Sequence, residues 1–83
     1  MLKNNYAYLS KSDIEEIYVK IKGSRKGITG FLRDSKKIAS KTRNGALVYK
    51  DEEALYNVFE KYLENELKAY GINNFGRLMQ HIS

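Results

Sequence analysis

Apolar side chains recur at Ile14, Ile17, Tyr18 and Ile21, the i, i+3, i+4, i+7 spacing of one helix face. Ser12, followed three residues later by Glu15, has the S-x-x-E pattern in which serine and glutamate satisfy the first free amides of a helix. A first helix is therefore expected to start at Ser12 and to stop at Gly23. The same stretch also reads as a strand over residues 17–22, where Ile17, Val19 and Ile21 alternate with Tyr18, Lys20 and Lys22. The capping pattern and the four-position stripe together favour helix.

Ser24 is a potential N-cap for a second, short helix with Ile28, Phe31 and Leu32 as its apolar stripe. Gly27 and Gly30 weaken it, each by about 1 kcal/mol relative to alanine in a helix interior, so its order has to come from packing. Arg43-Asn44-Gly45 then separates residues 37–42 from residues 46–50, and Asn-Gly between two extended runs predicts a tight hairpin. Asp51 caps a long helix with the stripe Leu55, Val58, Phe59, Tyr62, Leu63, Leu67 and Tyr70, and Glu52 and Glu53 sit at the positive end of its dipole. Gly71 ends that helix, with Ile72 folding back on it. Phe75, Leu78, Met79 and Ile82 after Asn74 predict a short terminal helix, read first as core packing and second as a seam for a homodimer or for cooperative assembly.

Eighty-three residues suffice for one domain, here residues 1–83, with residues 5–50 forming one functional half and residues 51–82 a pair of C-terminal helices for packing or assembly. Cysteine is absent, which removes disulfides and thiolate metal sites as supports. The early charges Lys3, Lys11, Asp13, Glu15 and Glu16 interrupt any signal-like apolar run, and a cytoplasmic location is expected.

Charge sharpens the picture. The net charge is +5, but residues 1–50 hold twelve basic and four acidic side chains while residues 51–83 hold three and six. Residues 20–43 alone carry Lys20, Lys22, Arg25, Lys26, Arg33, Lys36, Lys37, Lys41 and Arg43 against the single acid Asp34. Such segregation is the footprint of a polyanion partner.

Helix, turn, short basic helix, hairpin and capped long helix is the order of a winged helix-turn-helix, a mainly α domain with a small β-hairpin. The alternative is a β-meander over residues 17–50 packed on one long helix. Tyr8-Leu9-Ser10, Ser24-Arg25, Ile28, Phe31-Leu32-Arg33, Asn44-Gly45 with Leu47-Val48, and Glu53 with Leu55 resemble the excisionase-like and MerR-like winged helices over residues 8–63. The resemblance implies a double-stranded DNA-binding accessory factor of a phage, plasmid or other mobile element, controlling excision, partition or transcription. Gly27, Gly30 and the weakly aromatic Ala46-Leu47-Val48-Tyr49 depart from the family pattern.

With the second helix in the major groove, its first turn would present Ser24, Arg25 and Lys26, followed by Thr29 and Arg33. Arg25 is the expected base reader, since arginine can meet guanine with two hydrogen bonds. Lys36, Lys37, Lys41 and Arg43 would meet phosphates, and Arg43 with Asn44 would reach a minor groove. Stacking of single-stranded bases on Tyr6, Tyr8, Tyr18, Tyr49, Tyr56, Tyr62 and Tyr70 is a weaker reading, because Tyr18, Tyr62 and Tyr70 lie on core stripes. Catalysis is not expected: His81 is the only histidine and stands at the end of the chain, and Gly23 to Gly27 lacks the spacing of a phosphate-binding loop. No cofactor or metal is expected. A small phage or plasmid protein that binds and inhibits a host protein is the functional alternative.

Overall fold

The computed structural model describes residues 9–82, so Tyr6 and Tyr8 lie outside the described residues. The order is β1 (Leu9–Ser10), α1 (Lys11–Lys22), α2 (Ile28–Lys36), β2 (Ser40–Lys41), β3 (Leu47–Tyr49), α3 (Glu52–Ala69) and α4 (Phe75–Ile82). The chain is mainly helical, with one small antiparallel sheet in the order β1-β3-β2. No β-meander forms over residues 17–50, because residues 17–22 and 28–36 are helical and only the short strands β2 and β3 lie in that segment. No helix among the described residues is long and apolar enough to cross a membrane.

Helix α1 begins two residues earlier than the Ser12 pattern predicts. Ser10 pairs with Val48 at the sheet edge and keeps an extended backbone (φ −89°, ψ 172°). Its Oγ accepts from the Asp13 amide at 3.2 Å, while the Asp13 carboxylate accepts from the Ser10 amide at 2.9 Å. The capping box is thus Ser10 with Asp13, and the strand decides where the helix starts. The expected stripe is intact, with Ile14, Ile17, Tyr18 and Ile21 all buried, and residues 17–22 are helical.

Helix α2 starts later than expected. Ser24 is not its cap; Ser24 Oγ accepts from the Lys26 amide at 3.3 Å within the turn, and Gly27 takes the cap position at φ 79°. The Tyr18 hydroxyl donates to the Lys26 carbonyl at 2.7 Å, and a Cβ on Gly27 would stand 2.9 Å from that hydroxyl. Gly30 faces the Tyr62 ring, where a Cβ would be 3.4 Å away. The two glycines that weaken α2 locally are therefore the places where tyrosines from α1 and α3 approach it.

Three short amide bonds, Lys37 to Asp34, Ile38 to Ser35 and Ala39 to Lys36, prolong the end of α2 as turns and leave only Ser40–Lys41 for the strand. The hairpin is not the two-residue Asn-Gly form, which requires positive φ at both central residues. Among the described residues only glycines have positive φ, and Gly45 (φ 83°) donates its amide to Thr42. Arg43-Asn44-Gly45 is a three-residue loop closed by a glycine bulge.

On α3, Asp51 Oδ1 accepts from the Ala54 amide at 3.1 Å. Leu55, Phe59, Leu63 and Leu67 are buried, and the helix kinks at Leu63 (φ −126°, ψ 28°). Ile72 donates to the Leu67 carbonyl and Gly71 to the Lys68 carbonyl, the paired bonds of a Schellman ending. Tyr70 does not join the stripe: it is 51% exposed, with its ring 4.6 Å from that of His81. Tyr56 is buried in its stead and donates to the Ile72 carbonyl at 3.2 Å. Asn74 caps α4 through Arg77, and Phe75, Leu78 and Met79 are buried in the chain's own core. The apolar stripe of α4 is used within the chain.

Candidate nucleic-acid interface

Helix α2 has two faces. Ile28, Phe31 and Ser35 point inward, and Phe31 is wholly buried between the rings of Tyr18 and Phe59, each 4.8 Å away. Thr29, Arg33 and Lys36, at i, i+4 and i+7, lie exposed on the opposite face. Arg33 and Lys36 also line a cleft of about 300 Å³ with Lys11, Leu32, Leu47 and Tyr49. Three cations therefore rim a partly apolar floor between α2, the start of α1 and the central strand.

The remaining residues singled out in the sequence fall into separate places. Lys41 is exposed on β2, and Arg43 and Asn44 are exposed in the hairpin loop. Ser24, Arg25 and Lys26 are exposed in the turn before α2 and do not form its first turn. Arg25 instead lies beside α1, with Nη2 3.7 Å from Glu15 Oε1. Lys37 closes α2, 3.9 Å from Asp34 Oδ1.

Asp34, the lone acid of the basic stretch, turns away from the exposed face of α2. It accepts from the Tyr62 hydroxyl at 2.6 Å and from Lys61 Nζ at 3.1 Å, tying α2 to α3. The Tyr62 hydrogen bond first, and the Lys61 hydrogen bond second, hold its carboxyl below the usual range. The same contacts push the Tyr62 hydroxyl and the Lys61 ammonium up. Lys22 is likewise committed to the fold, 3.1 Å from Glu66 on α3. Arg33, Lys36, Lys41 and Arg43 have no ion pair among the described residues.

No family model, curated protein or solved structure matches the chain. What the surface can bind follows from its side chains. Guanidinium and ammonium groups supply donors and no acceptors, which suits phosphate oxygens, and arginine adds a planar fork for carboxylates, phosphates or base edges. Lys11 was missing from the sequence-derived set because its place in the cleft depends on β1 pairing with β3, and two residues are too few to show a strand pattern. Opposite in character is a cleft of about 590 Å³ where Glu52, Glu53 and Glu60 meet Asn57, Asn73 and Asn74. The charge asymmetry of the sequence is thus also an asymmetry of surfaces.

Proposed function

We propose that the protein binds double-stranded DNA sequence-specifically as a winged helix-turn-helix module, with α2 in the major groove and the β2–β3 hairpin as the wing. The observation that carries this reading is the exposed face of α2. Thr29, Arg33 and Lys36 stand there with their acidic neighbour turned inward, and the hairpin cations Lys41 and Arg43 follow directly in the chain. The sheet order β1-β3-β2 supports it, since the strand before α1 braces the hairpin.

Because α2 starts at Ile28, the base-reading role moves from Arg25 to Arg33, with Thr29 beside it. Lys36, Lys41, Arg43 and Lys26 would meet phosphates, and Asn44 would accompany Arg43 at the wing tip. On this reading the protein is a non-enzymatic accessory or regulatory factor, of the kind that mobile elements use in excision, partition or transcription.

Binding to mixed-sequence duplex, to sequences selected from a random pool and to single strands, across a range of salt, tests the proposal. Four to six phosphate contacts predict a slope of log affinity on log salt of roughly −4 to −5. Arg33→Ala should weaken selected sites by about 1–3 kcal/mol and mixed sequence much less. Equal loss on all duplexes would remove the base-reading role. Absence of duplex binding at low salt would overturn the proposal and favour a protein target, as for a small inhibitor of a host protein.

A further inference from the structure

Among the cations at the edge of the α2 surface stands an acid paired with two of them. Glu15, on α1, has 27% of its side chain exposed and stands between two cations, with Oε1 3.7 Å from Arg25 Nη2 and Oε2 4.0 Å from Lys11 Nζ. Lys11 belongs to the cleft that Arg33 and Lys36 line, and Arg25 to the turn leading into α2. Of the other nearby acids, Asp13 closes the cap of α1 and Asp34 ties α2 to α3. Glu16, exposed on α1, lines a groove with Glu15, Lys20 and Arg25 but makes no ion pair with a cation of the rim among the described residues.

The two contacts of Glu15 are long, and its partners are 58% and 65% exposed, a geometry that adds little to stability. Its charge also acts on Tyr49, a residue that lines the cleft and whose hydroxyl is pushed up first by burial and then by Glu15. An acid that adds little to the fold, set beside a phosphate-binding rim, opposes the polyanion that the rim attracts.

Building on the DNA-binding reading, we propose that Glu15 is a positioning residue that restrains sequence-independent affinity. It holds Arg25 and Lys11 away from the backbone and repels the backbone itself, so that contacts from α2 to base edges weigh more in the total. Specificity is a difference of affinities, and a like charge at the rim lowers binding to every sequence whose bases add nothing.

The test compares the parent with Glu15→Gln, Glu15→Asp, Arg25→Ala and the E15Q/R25A double variant on a short mixed-sequence duplex. Each freed cation should steepen the salt slope by about 0.9, equivalent to roughly eightfold tighter binding for every tenfold dilution of salt. E15Q is therefore expected to bind about three- to tenfold more tightly near 0.1 M salt with its melting temperature unchanged. E15D, which keeps the charge, should stay near the parent. Arg25→Ala should change the parent less than about twofold, yet remove a clear part of the E15Q gain in the double variant, lowering its salt slope by about 0.9 relative to E15Q. A folded E15Q with the parent's affinity and slope would overturn the inference while leaving the DNA reading intact. A several-fold loss from Arg25→Ala alone would also overturn it, and needs no Glu15 variant to fold. A parent that binds no duplex would overturn both.

Discussion

The α2–hairpin side and the α3–α4 side of this small domain are stabilised in different ways. On the α3–α4 side each element carries its own ends: Asp51 caps α3, a Schellman turn through Gly71 and Ile72 closes it, and Asn74 opens α4. Helix α2 has nine residues, no side-chain cap and a left-handed glycine at its start. It also carries a buried hydroxyl, Ser35 Oγ, without a hydrogen-bond partner among the described residues. Its order is supplied from outside, by Tyr18 from α1 and by Phe59, Lys61 and Tyr62 from α3. An element held from behind leaves its outer face free of structural duties, and that face carries Thr29, Arg33 and Lys36.

Removing the central support should have the largest effect. Phe31→Ala takes away a fully buried ring in contact with Tyr18, Phe59 and Tyr62, and should lower stability by about 3–5 kcal/mol, read by urea or thermal denaturation. A domain of this size has only about 5–15 kcal/mol in total, and less at the small end, so the variant should be marginally folded at best. A loss near 1 kcal/mol would mean that α2 is not held by this cluster.

The two capping glycines contrast the sides more finely. Gly27→Ala meets both a positive φ and the Tyr18 hydroxyl 2.9 Å from the new Cβ, and should cost about 2–3 kcal/mol. Gly71→Ala has a positive φ with nothing within 4 Å, and should cost about 1 kcal/mol. Tyr18→Phe should recover part of the Gly27→Ala loss in a double-mutant cycle and none of the Gly71→Ala loss. Equal costs at the two glycines would show that backbone conformation alone, and not the approach of Tyr18, fixes the start of α2.

The same contrast explains what was readable in the sequence. The ends of α3 and α4 were readable because the residues that cap them are their immediate neighbours. The start of α1 was misplaced by two residues because Ser10 is fixed as the cap by pairing with Val48, nearly forty positions along the chain. Ser24 looked like a cap for α2, but the bond between Tyr18 and the Lys26 carbonyl and the turn at Gly27 move that start to Ile28, taking Arg25 out of the helix. Tyr70 satisfied the helical period but came after the last turn of α3, and Tyr56, one residue off the stripe, was buried by the fold-back of Ile72. The exposed basic residues were found from composition. The pairs of Lys37 with Asp34 and Lys11 with Glu15 follow local helical spacing, but which cations share a cleft, and the ties of Lys22 to Glu66 and Arg25 to Glu15, depend on contacts between elements that no local pattern encodes.

The smallest expected effect concerns the bond that makes α2 one-sided in charge. With Tyr62 and Lys61 donating to it, the Asp34 carboxyl titrates below its ordinary value of 3.8 in the folded chain. A depressed folded value means that the ionised form is favoured by folding, so its contribution is complete above the unfolded value and disappears as the pH falls through the lower, folded one. Asp34→Asn should therefore melt at a lower temperature than the parent at neutral pH, and the gap should close as the pH is taken below 3.8. Tyr62→Phe should narrow the gap at neutral pH, because Tyr62 supplies the shortest of the bonds to that carboxylate. A gap that persists unchanged into acid would place the role of Asp34 in packing, not in charge. In that case the clean basic face of α2 would owe nothing to the tie between Asp34 and α3.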